Sequence, residues 1–379
     1  MLWSSAAVLI AAAGVASAQL SQADAEALLQ AVFAERAAER REEHTDAFEA
    51  GTIATDAGDL RIMQRTFGDA DQGERSLWIS MHGGGGTAAR VNDQQWQNQI
   101  RLYEPDEGLY IAPRAPSDTW NLWHRAEIDV MFSELINAAV AVHGVDPDRV
   151  YLMGYSAGGD GVYQLGPRMA DRFAAAAMMA GHPNEAQPLG LRNLPFAIFM
   201  GSEDAAFNRN TVAKQWRDQL RELQADDPDG YDHWVQIYDG LGHWMNRRDA
   251  EALPWMAERS RDAWPARVVW RQDDVTHTRF YWLGIDAEHA EAGDVVIAAV
   301  SGQTITIERA DVPSLTLRLR DDFIDLDERV TVMLSSADGD ITLFDGIVER
   351  TEAAVRESIA ERLDRVTAAT ATLTVETSD

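Results

Sequence analysis

The sequence contains no cysteine among its 379 residues. A chain without thiols forms no disulfide bond, has no thiol nucleophile and offers no cysteine ligand to a metal ion. Its histidines show no metal-ligand spacing either, so we expect no metal site. Lysine is almost missing too: Lys214 is the only one, so that basic charge is almost all arginine, and the net charge is −29. This excess of acidic residues argues against nucleic acid and anionic membrane surfaces as partners.

The apolar run at the amino terminus, residues 1–18, is too short and too poorly flanked to serve as a stable transmembrane anchor. It ends in Ala16-Ser17-Ala18, a pattern of small residues typical of signal-peptide cleavage sites, although no lysine or arginine precedes the apolar stretch. We expect export to a secreted or periplasmic location, cleavage after Ala18, and a mature protein without a membrane span.

Hydrophobic periodicity divides the rest of the chain into three parts. Residues 19–51 have helical composition and are predicted to form an N-terminal arm. Residues 52–262 alternate short apolar strands with helices, which predicts an α/β fold with a mostly parallel sheet covered on both faces. Residues 266–379 are short β-rich segments with hairpin turns, which predict a smaller and mostly antiparallel accessory domain.

Two of the elements predicted within these parts bear on the structure below. The last helix of the 52–262 part is predicted over Arg248–Arg261. An early strand of the accessory domain is predicted over Arg279–Leu283, from its apolar and aromatic residues.

The segment Arg149–Gly159 reads as a short apolar strand, then Gly-Tyr-Ser-Ala-Gly, then a helix. This context is that of a nucleophile elbow, in which a serine occupies a strained strand-to-helix turn with its hydroxyl exposed. Gly154 and Gly158 flank the serine because so tight a turn leaves little room for side chains. The sequence therefore predicts that Ser156 is a nucleophile.

A serine hydroxyl needs a base within hydrogen-bond reach and a carboxylate that orients this base. In such sheets these groups lie on loops at the carboxyl ends of strands, in the chain order serine, acid, histidine. Glu203 and Asp204 follow the strand that ends at Met200, and His243 follows the strand that ends at Tyr238. We predict His243 as the base and Asp204 as the acid, with Glu203 as the alternative acid.

A run of four glycines, residues 83–86, follows His82 at the end of a predicted strand. Acyl transfer places negative charge on the carbonyl oxygen, and backbone N–H groups must point at that charge. We predict that one donor of this oxyanion hole is Gly83 or Gly84, without a choice between them, and that the other is Ala157. The alternative, a phosphate-binding loop, lacks the required Gly-Lys-Ser/Thr ending.

Several aromatic residues fall near the same sheet edge. Trp120 and Asn121 follow the strand predicted over Gly108–Ala112, Trp244 directly follows the predicted base, and Trp96 follows the glycine run. Around one cleft they would bind apolar or aromatic acyl groups or polymer chains, and we predict Trp120, Asn121 and Trp244 as substrate-binding residues. The alternative is that these side chains pack the loops onto the sheet.

Taken together, these motifs resemble exported esterases related to polyhydroxybutyrate depolymerases and feruloyl esterases. The resemblance covers about residues 52–262 and rests on His82-Gly83-Gly84, Trp120-Asn121, Gly154-Tyr155-Ser156-Ala157-Gly158-Gly159, Asp204 and Gly242-His243. It implies an α/β-hydrolase fold, a serine nucleophile, no cofactor, and small-molecule or polymeric carboxylic esters as substrates. The missing disulfides and the longer glycine run depart from the pattern of that family.

The sequence thus predicts an exported serine esterase with the triad Ser156, Asp204 and His243. One alternative is a serine peptidase on the same fold, since the sequence does not distinguish ester from amide substrates. A second alternative, of another class, is an α/β-hydrolase-fold protein that binds a ligand without catalysis.

Overall fold

The computed structural model describes residues 19–378, so the predicted signal peptide lies outside the described residues. No helix within this range is long and apolar enough to cross a membrane. The strands between residues 52 and 238 form an eight-stranded sheet with the strand order β1-β2-β4-β3-β5-β6-β7-β8. The strands are β1 (Thr52–Thr55), β2 (Gly58–Phe67), β3 (Arg75–Met81), β4 (Gly108–Arg114), β5 (Val145–Tyr155), β6 (Ala175–Met179), β7 (Phe196–Gly201) and β8 (His233–Tyr238).

Helices cover both faces of this sheet. The α-helices are α1 (Gln22–Ala50), α2 (Ala89–Gln99), α3 (Ala126–His143), α4 (Ala157–Arg168), α5 (Arg209–Asp226) and α6 (Ala252–Ala257). Short 3₁₀ helices lie at Ala170–Arg172, Pro188–Leu191, Ala206–Asn208 and Arg248–Glu251. Strands β3 to β8 pair in parallel, and the pairs β1–β2 and β2–β4 at one edge are antiparallel. The predicted mostly parallel α/β sheet is confirmed.

Strand β3 contributes side chains to two apolar clusters, one on each face of the sheet. Leu77 and Ile79 point into an apolar cluster with α3, α4 and α5, whereas Trp78 points into a second cluster with α2 and α6. Successive side chains of a strand alternate between faces, so a strand that is buried on both sides must be apolar throughout. Every residue of β6 is buried for the same reason. Both strands are thus packed between apolar layers on the two faces of the sheet.

The predicted extra β-rich region follows, and it contains two sheets and one helix. Its strands are β9 (Arg267–Arg271), β10 (Arg279–Phe280), β11 (Leu283–Gly284), β12 (Val295–Ser301), β13 (Thr304–Ala310), β14 (Ser314–Leu319), β15 (Val330–Leu334), β16 (Ile341–Gly346) and β17 (Ala371–Glu376). A 3₁₀ helix lies at Ala287–His289 and helix α7 at Glu352–Glu361. The strand orders are β10-β11-β14-β17 and β16-β15-β13-β12-β9. All these pairs are antiparallel except β13 with β15.

The amino-terminal helix α1 connects the two parts of the molecule. The side chain of Ser21 caps its first turn by accepting a hydrogen bond from the N–H of Asp24, and Gly51, with φ of 71°, ends it. Helix α1 packs against both α3 and α7. Its buried side chains Leu29 and Phe48 join the same apolar cluster as α3 and the β-rich region.

Two predicted elements are wrong in extent. The helix predicted over Arg248–Arg261 is a 3₁₀ helix followed by the short α6, because Pro254 lacks an N–H and fits only the first turn of a helix. The strand predicted over Arg279–Leu283 is two short strands joined by a tight turn. Tyr281 makes this turn with φ of 53°, a conformation that its sequence gives no reason to expect.

Candidate active site

Ser156 lies between the last residue of β5 and the first residue of α4. Its backbone has φ of 59° and ψ of −121°, which is strained for a residue with a side chain. The turn requires glycine on both sides. A Cβ atom at Gly154 would collide with the backbone of Gly158, and one at Gly158 would collide with the carbonyl of Met81. The strain lifts the serine hydroxyl out of the sheet edge, as the sequence pattern indicates.

The structure brings Ser156, His243 and Asp204 into one chain of hydrogen-bond contacts. His243 Nε2 lies 3.0 Å from Ser156 Oγ, and His243 Nδ1 lies 2.7 Å from Asp204 Oδ2. With Nδ1 protonated toward the carboxylate, Nε2 is left as an acceptor for the serine hydroxyl. Asp204 is only 2% exposed, whereas Glu203 is exposed at the surface. This arrangement can remove a proton from the serine.

Two loops carry these side chains: residues 202–205 after β7, called the acid loop, and residues 239–247 after β8, called the base loop. The two loops are bonded to each other. The N–H of Glu203 donates to the carbonyl of Leu241 at 2.8 Å, and the N–H of Gly240 donates to Ser202 Oγ at 2.9 Å. A Cβ atom at Gly201 would collide with the carbonyl of Gly242, so the two loops touch backbone to backbone. This contact fixes the separation of acid and base.

Two further ionisable groups influence the site. Burial raises the pKa of Asp160, one helical turn after Ser156, to about 6, against the hydrogen bond that it accepts from the N–H of His182 at 2.6 Å. The guanidinium of Arg209 lies 3.8 Å from Asp204 Oδ1 and is itself largely buried. Asp204 is therefore held between the imidazole on one side and an arginine on the other.

The ring of His82 is fully buried beneath the glycine run. Its Nδ1 lies 2.6 Å from the carbonyl oxygen of Gly83, and its Nε2 accepts a hydrogen bond from the N–H of Ala115 at 3.2 Å. Burial lowers the pKa of His82 to about 4, so the ring is neutral at pH 7 and carries its proton on Nδ1. The carbonyl of Gly83 is thus turned toward the ring, and the N–H of Gly84 in the same peptide unit points the opposite way.

Asn92 holds the next part of the run. Its Oδ1 accepts a hydrogen bond from the N–H of Gly85 at 2.8 Å, and its Nδ2 donates to Asp118 at 2.8 Å. Gly84 has φ of 116°, and a Cβ atom there would collide with Asn92. The N–H of Gly85 is therefore already engaged, while Gly83 and Gly84 both line the cleft beside Ser156.

A cavity of about 550 Å³ opens at Ser156. Helix α2 lines it with Val91, Gln95 and Asn98, and the turn after this helix adds Leu102. Other lining residues are Tyr155, His243 and Trp244. This wall of α2 was not among the residues predicted from the sequence. Only the spacing of three to four residues in that segment could have indicated that it shares one face.

The predicted aromatic and amide residues differ in position. Trp244 lines the cavity and is 51% exposed. Trp120 is 61% exposed and lies against Gly86, but neither it nor Asn121 is among the residues that line the cavity in the described part of the chain. Trp96 does not face the cleft as expected. It lies on the buried face of α2, where its indole N–H donates to the carbonyl of Ala112 at 2.7 Å.

Comparison with known proteins gives matches over the part of the chain that carries this site. Residues 111–273, which include the three contacting side chains, match the Dienelactone hydrolase family. The chain is 28% identical over 210 residues to feruloyl esterase B of Thermothelomyces thermophilus. The chain is an α/β-hydrolase-fold protein. The resemblance to the esterases related to polyhydroxybutyrate depolymerases and feruloyl esterases is confirmed.

The matches of this α/β-hydrolase-fold chain are partial in length. The alignment with feruloyl esterase B covers 49% of the chain and 63% of that protein, so the chain spans less than two thirds of its relative. A thermostable esterase of known structure is 18% identical with a TM-score of 0.42. The match covers 55% of this chain and 62% of the esterase chain. A poly(3-hydroxybutyrate) depolymerase from Bordetella parapertussis is 17% identical with a TM-score of 0.41, covering 54% and 86%.

Proposed function

We propose that the protein is a serine hydrolase that cleaves carboxylic esters through an acyl-enzyme. The observation that carries the proposal is the continuous contact from Asp204 through His243 to Ser156, with separations of 2.7 Å and 3.0 Å, at the mouth of a cavity. Hydrogen-bond reach between nucleophile, base and orienting acid is what this chemistry requires.

In the proposed reaction Ser156 Oγ attacks the ester carbonyl carbon while His243 Nε2 takes the hydroxyl proton. Asp204 holds the imidazole in the tautomer that accepts this proton and stabilises the imidazolium that forms. His243 then gives the proton to the departing alkoxide, which leaves an acyl group on Ser156. A water molecule, deprotonated by the same imidazole, attacks the acyl carbon and releases the acid.

The negative oxygen of the tetrahedral intermediate needs two N–H donors. The first residue of α4, Ala157, supplies one from a helix N-terminus, which favours negative charge. Gly83 and Gly84 are the candidates for the other. The hydrogen bond between His82 and the Gly83 carbonyl favours Gly84, because it turns the N–H of Gly84 away from the buried ring.

The substrate proposal is an ester with an apolar or aromatic acyl group, free or in a polymer. The cavity beside Ser156 combines Val91, Leu102 and the exposed face of Trp244 with the amides of Gln95 and Asn98. Such a wall suits a planar acyl group that carries hydrogen-bonding substituents. Similarity to a feruloyl esterase supports ester substrates, and the amino-terminal pattern of residues 1–18 supports export.

A hydrolysis screen tests this function. Purified protein is assayed on p-nitrophenyl esters of increasing chain length, methyl ferulate, polyester film and aminoacyl amides. Turnover of esters with little or no amide cleavage is expected. Faster cleavage of the amides would make the protein a peptidase, and no turnover together with no labelling by a fluorophosphonate probe would make it a binding protein.

A further inference from the structure

The hydroxyl group of Tyr155 bridges the nucleophile strand and the base loop. Tyr155 is the last residue of β5, directly before Ser156. Its Oη–H donates to the carbonyl oxygen of His243 at 2.5 Å, and its Oη accepts a hydrogen bond from the N–H of Met245 at 3.2 Å. One phenol therefore satisfies the backbone on both sides of Trp244.

Besides Tyr155, the base loop is held by its bonds to the acid loop, by the contact of His243 with Asp204 and by the buried side chain of Met245, but the side chains at its tip are open to solvent. The side chain of His243 is 43% exposed and Trp244 is 51% exposed, so neither is fixed by burial. Two consecutive residues that follow, Asn246 and Arg247, have φ of 55° and 62°, which costs free energy in residues other than glycine. A loop of this kind keeps one conformation only if the surrounding structure holds it there.

The ring of Tyr155 adds a second constraint on the same loop. It meets the imidazole of His243 edge-on with centroids 5.9 Å apart and lies 5.7 Å from the ring of Trp244. Tyr155 is itself 8% exposed and lines the cavity. Its backbone is fixed by the elbow, so its hydroxyl is a rigid reference point for the position of the base.

We propose that Tyr155 is a positioning residue that sets the distance from His243 to Ser156 and also orients Trp244 at the cleft. The inference rests on the proposed function, because the base must act on the serine for its position to matter. Displacement of a catalytic group by about 1 Å can lower a rate by about a hundredfold. Loss of the two backbone hydrogen bonds therefore reduces turnover without removing any group that reacts.

The test compares Tyr155→Phe with Tyr151→Phe. Tyr151 is a matched control: it lies four residues earlier on β5, is fully buried, and its hydroxyl donates to the carbonyl of Arg259 at 2.9 Å, away from the base loop. Ester kinetics, the rate of labelling by a fluorophosphonate, and hydrogen exchange of the segment that contains Met245 are measured for both variants and for Ser156→Ala.

We expect Tyr155→Phe to lower kcat and the labelling rate about tenfold to a hundredfold. KM for a small ester stays unchanged, exchange at Met245 becomes faster, and Tyr151→Phe changes none of these. A kcat for Tyr155→Phe within about twofold of the parent overturns the proposal. So does an equal loss in both variants, since that loss reports general destabilisation. If Ser156→Ala keeps full turnover, the proposed function fails. In that case, faster hydrogen exchange at Met245 in Tyr155→Phe but not in Tyr151→Phe still supports the role of Tyr155 in holding the base loop.

Discussion

The buried carboxylate of Asp204 contacts His243 Nδ1 at 2.7 Å, whereas its neighbour in the chain, Glu203, faces solvent. The backbone explains the difference. The N–H of Glu203 bonds to Leu241 across the gap between two loops, which turns the side chain of the next residue inward. Two adjacent carboxylates that the sequence leaves as alternatives thus have different environments.

This difference predicts unequal effects of two isosteric changes. Asp204→Asn should lower kcat by about 10²- to 10⁴-fold, because the imidazole loses its partner and its preferred tautomer. Glu203→Gln should leave kcat unchanged within experimental error. Steady-state kinetics on one ester give the ranking, and the reverse ranking would transfer the role of the acid to Glu203.

Acid pH should destabilise the fold through buried histidines. Burial lowers the pKa values of His82 and His124 to about 4, so in the folded state both stay neutral between about pH 6.5 and 4 while the unfolded chain takes up protons. The free energy of unfolding therefore falls as the pH is lowered through that window, by up to roughly 3 kcal/mol for each histidine. Asp160, whose pKa burial raises to about 6, acts in the opposite direction and offsets one of the two.

Urea unfolding at pH 7, 5.5 and 4 measures this loss. The variant His82→Gln should lose less stability between pH 7 and pH 4 than the parent does, although it is less stable at pH 7. An identical pH dependence in parent and variant would show that His82 does not stay neutral when folded.

The β-rich region should act as structural support, because buried ion pairs join it to residues of the 52–262 part that lie outside the sheet strands. Asp171 of the 52–262 part accepts a hydrogen bond from Arg362 at 2.5 Å, and Arg261 of the same part contacts Asp364 at 2.8 Å. Although burial alone would raise it, the charge of Arg362 holds the pKa of Asp171 below its usual range. Removal of one partner leaves a buried charge without compensation.

Arg362→Met should therefore cost about 3–5 kcal/mol of unfolding free energy. Arg329→Met provides the control, because its salt bridge with Asp345 is exposed, and it should change stability little. A fragment of residues 19–262 should be insoluble or melt far below the full chain. A stable, soluble fragment that keeps small-ester activity but loses activity on polymer would instead assign the region to substrate binding.

How far the sequence predicts the fold depends on the range of the signals. The parallel sheet and the elbow follow from local signals, namely unbroken apolar strands and glycines around a serine. The sequence also places Asp204 and His243 after strand ends, which share one edge in a parallel sheet. The wall of α2 is not predictable in this way, because which face of that helix meets the cleft depends on tertiary packing.

Trp96 illustrates the same limit. Its position after the glycine run suggests the cleft, but the helix turns it into the core, where its N–H finds a carbonyl partner. The role of Tyr155 is likewise invisible in the sequence. Its partners, His243 and Met245, are 88 and 90 residues away, and only the folded loops bring them together.

Export predicts a particular mature terminus. If residues 1–18 are a signal peptide, protein isolated from the native host begins at or close to Gln19. Mass spectrometry of the intact protein measures this. Detection of the complete Met1–Ala18 segment on protein outside the cytoplasmic membrane would contradict cleavage at that site.

The central claim is that Ser156 is the nucleophile, and the variant Ser156→Ala tests it most directly. The substitution removes one oxygen from a half-buried residue and leaves the backbone unchanged, so circular dichroism and melting temperature should match the parent protein. Turnover of a p-nitrophenyl ester should fall about 10⁴- to 10⁶-fold, and fluorophosphonate labelling should disappear. Residual activity within about tenfold of the parent, which corresponds to only about 1.4 kcal/mol of barrier, would show that Ser156 is not the nucleophile.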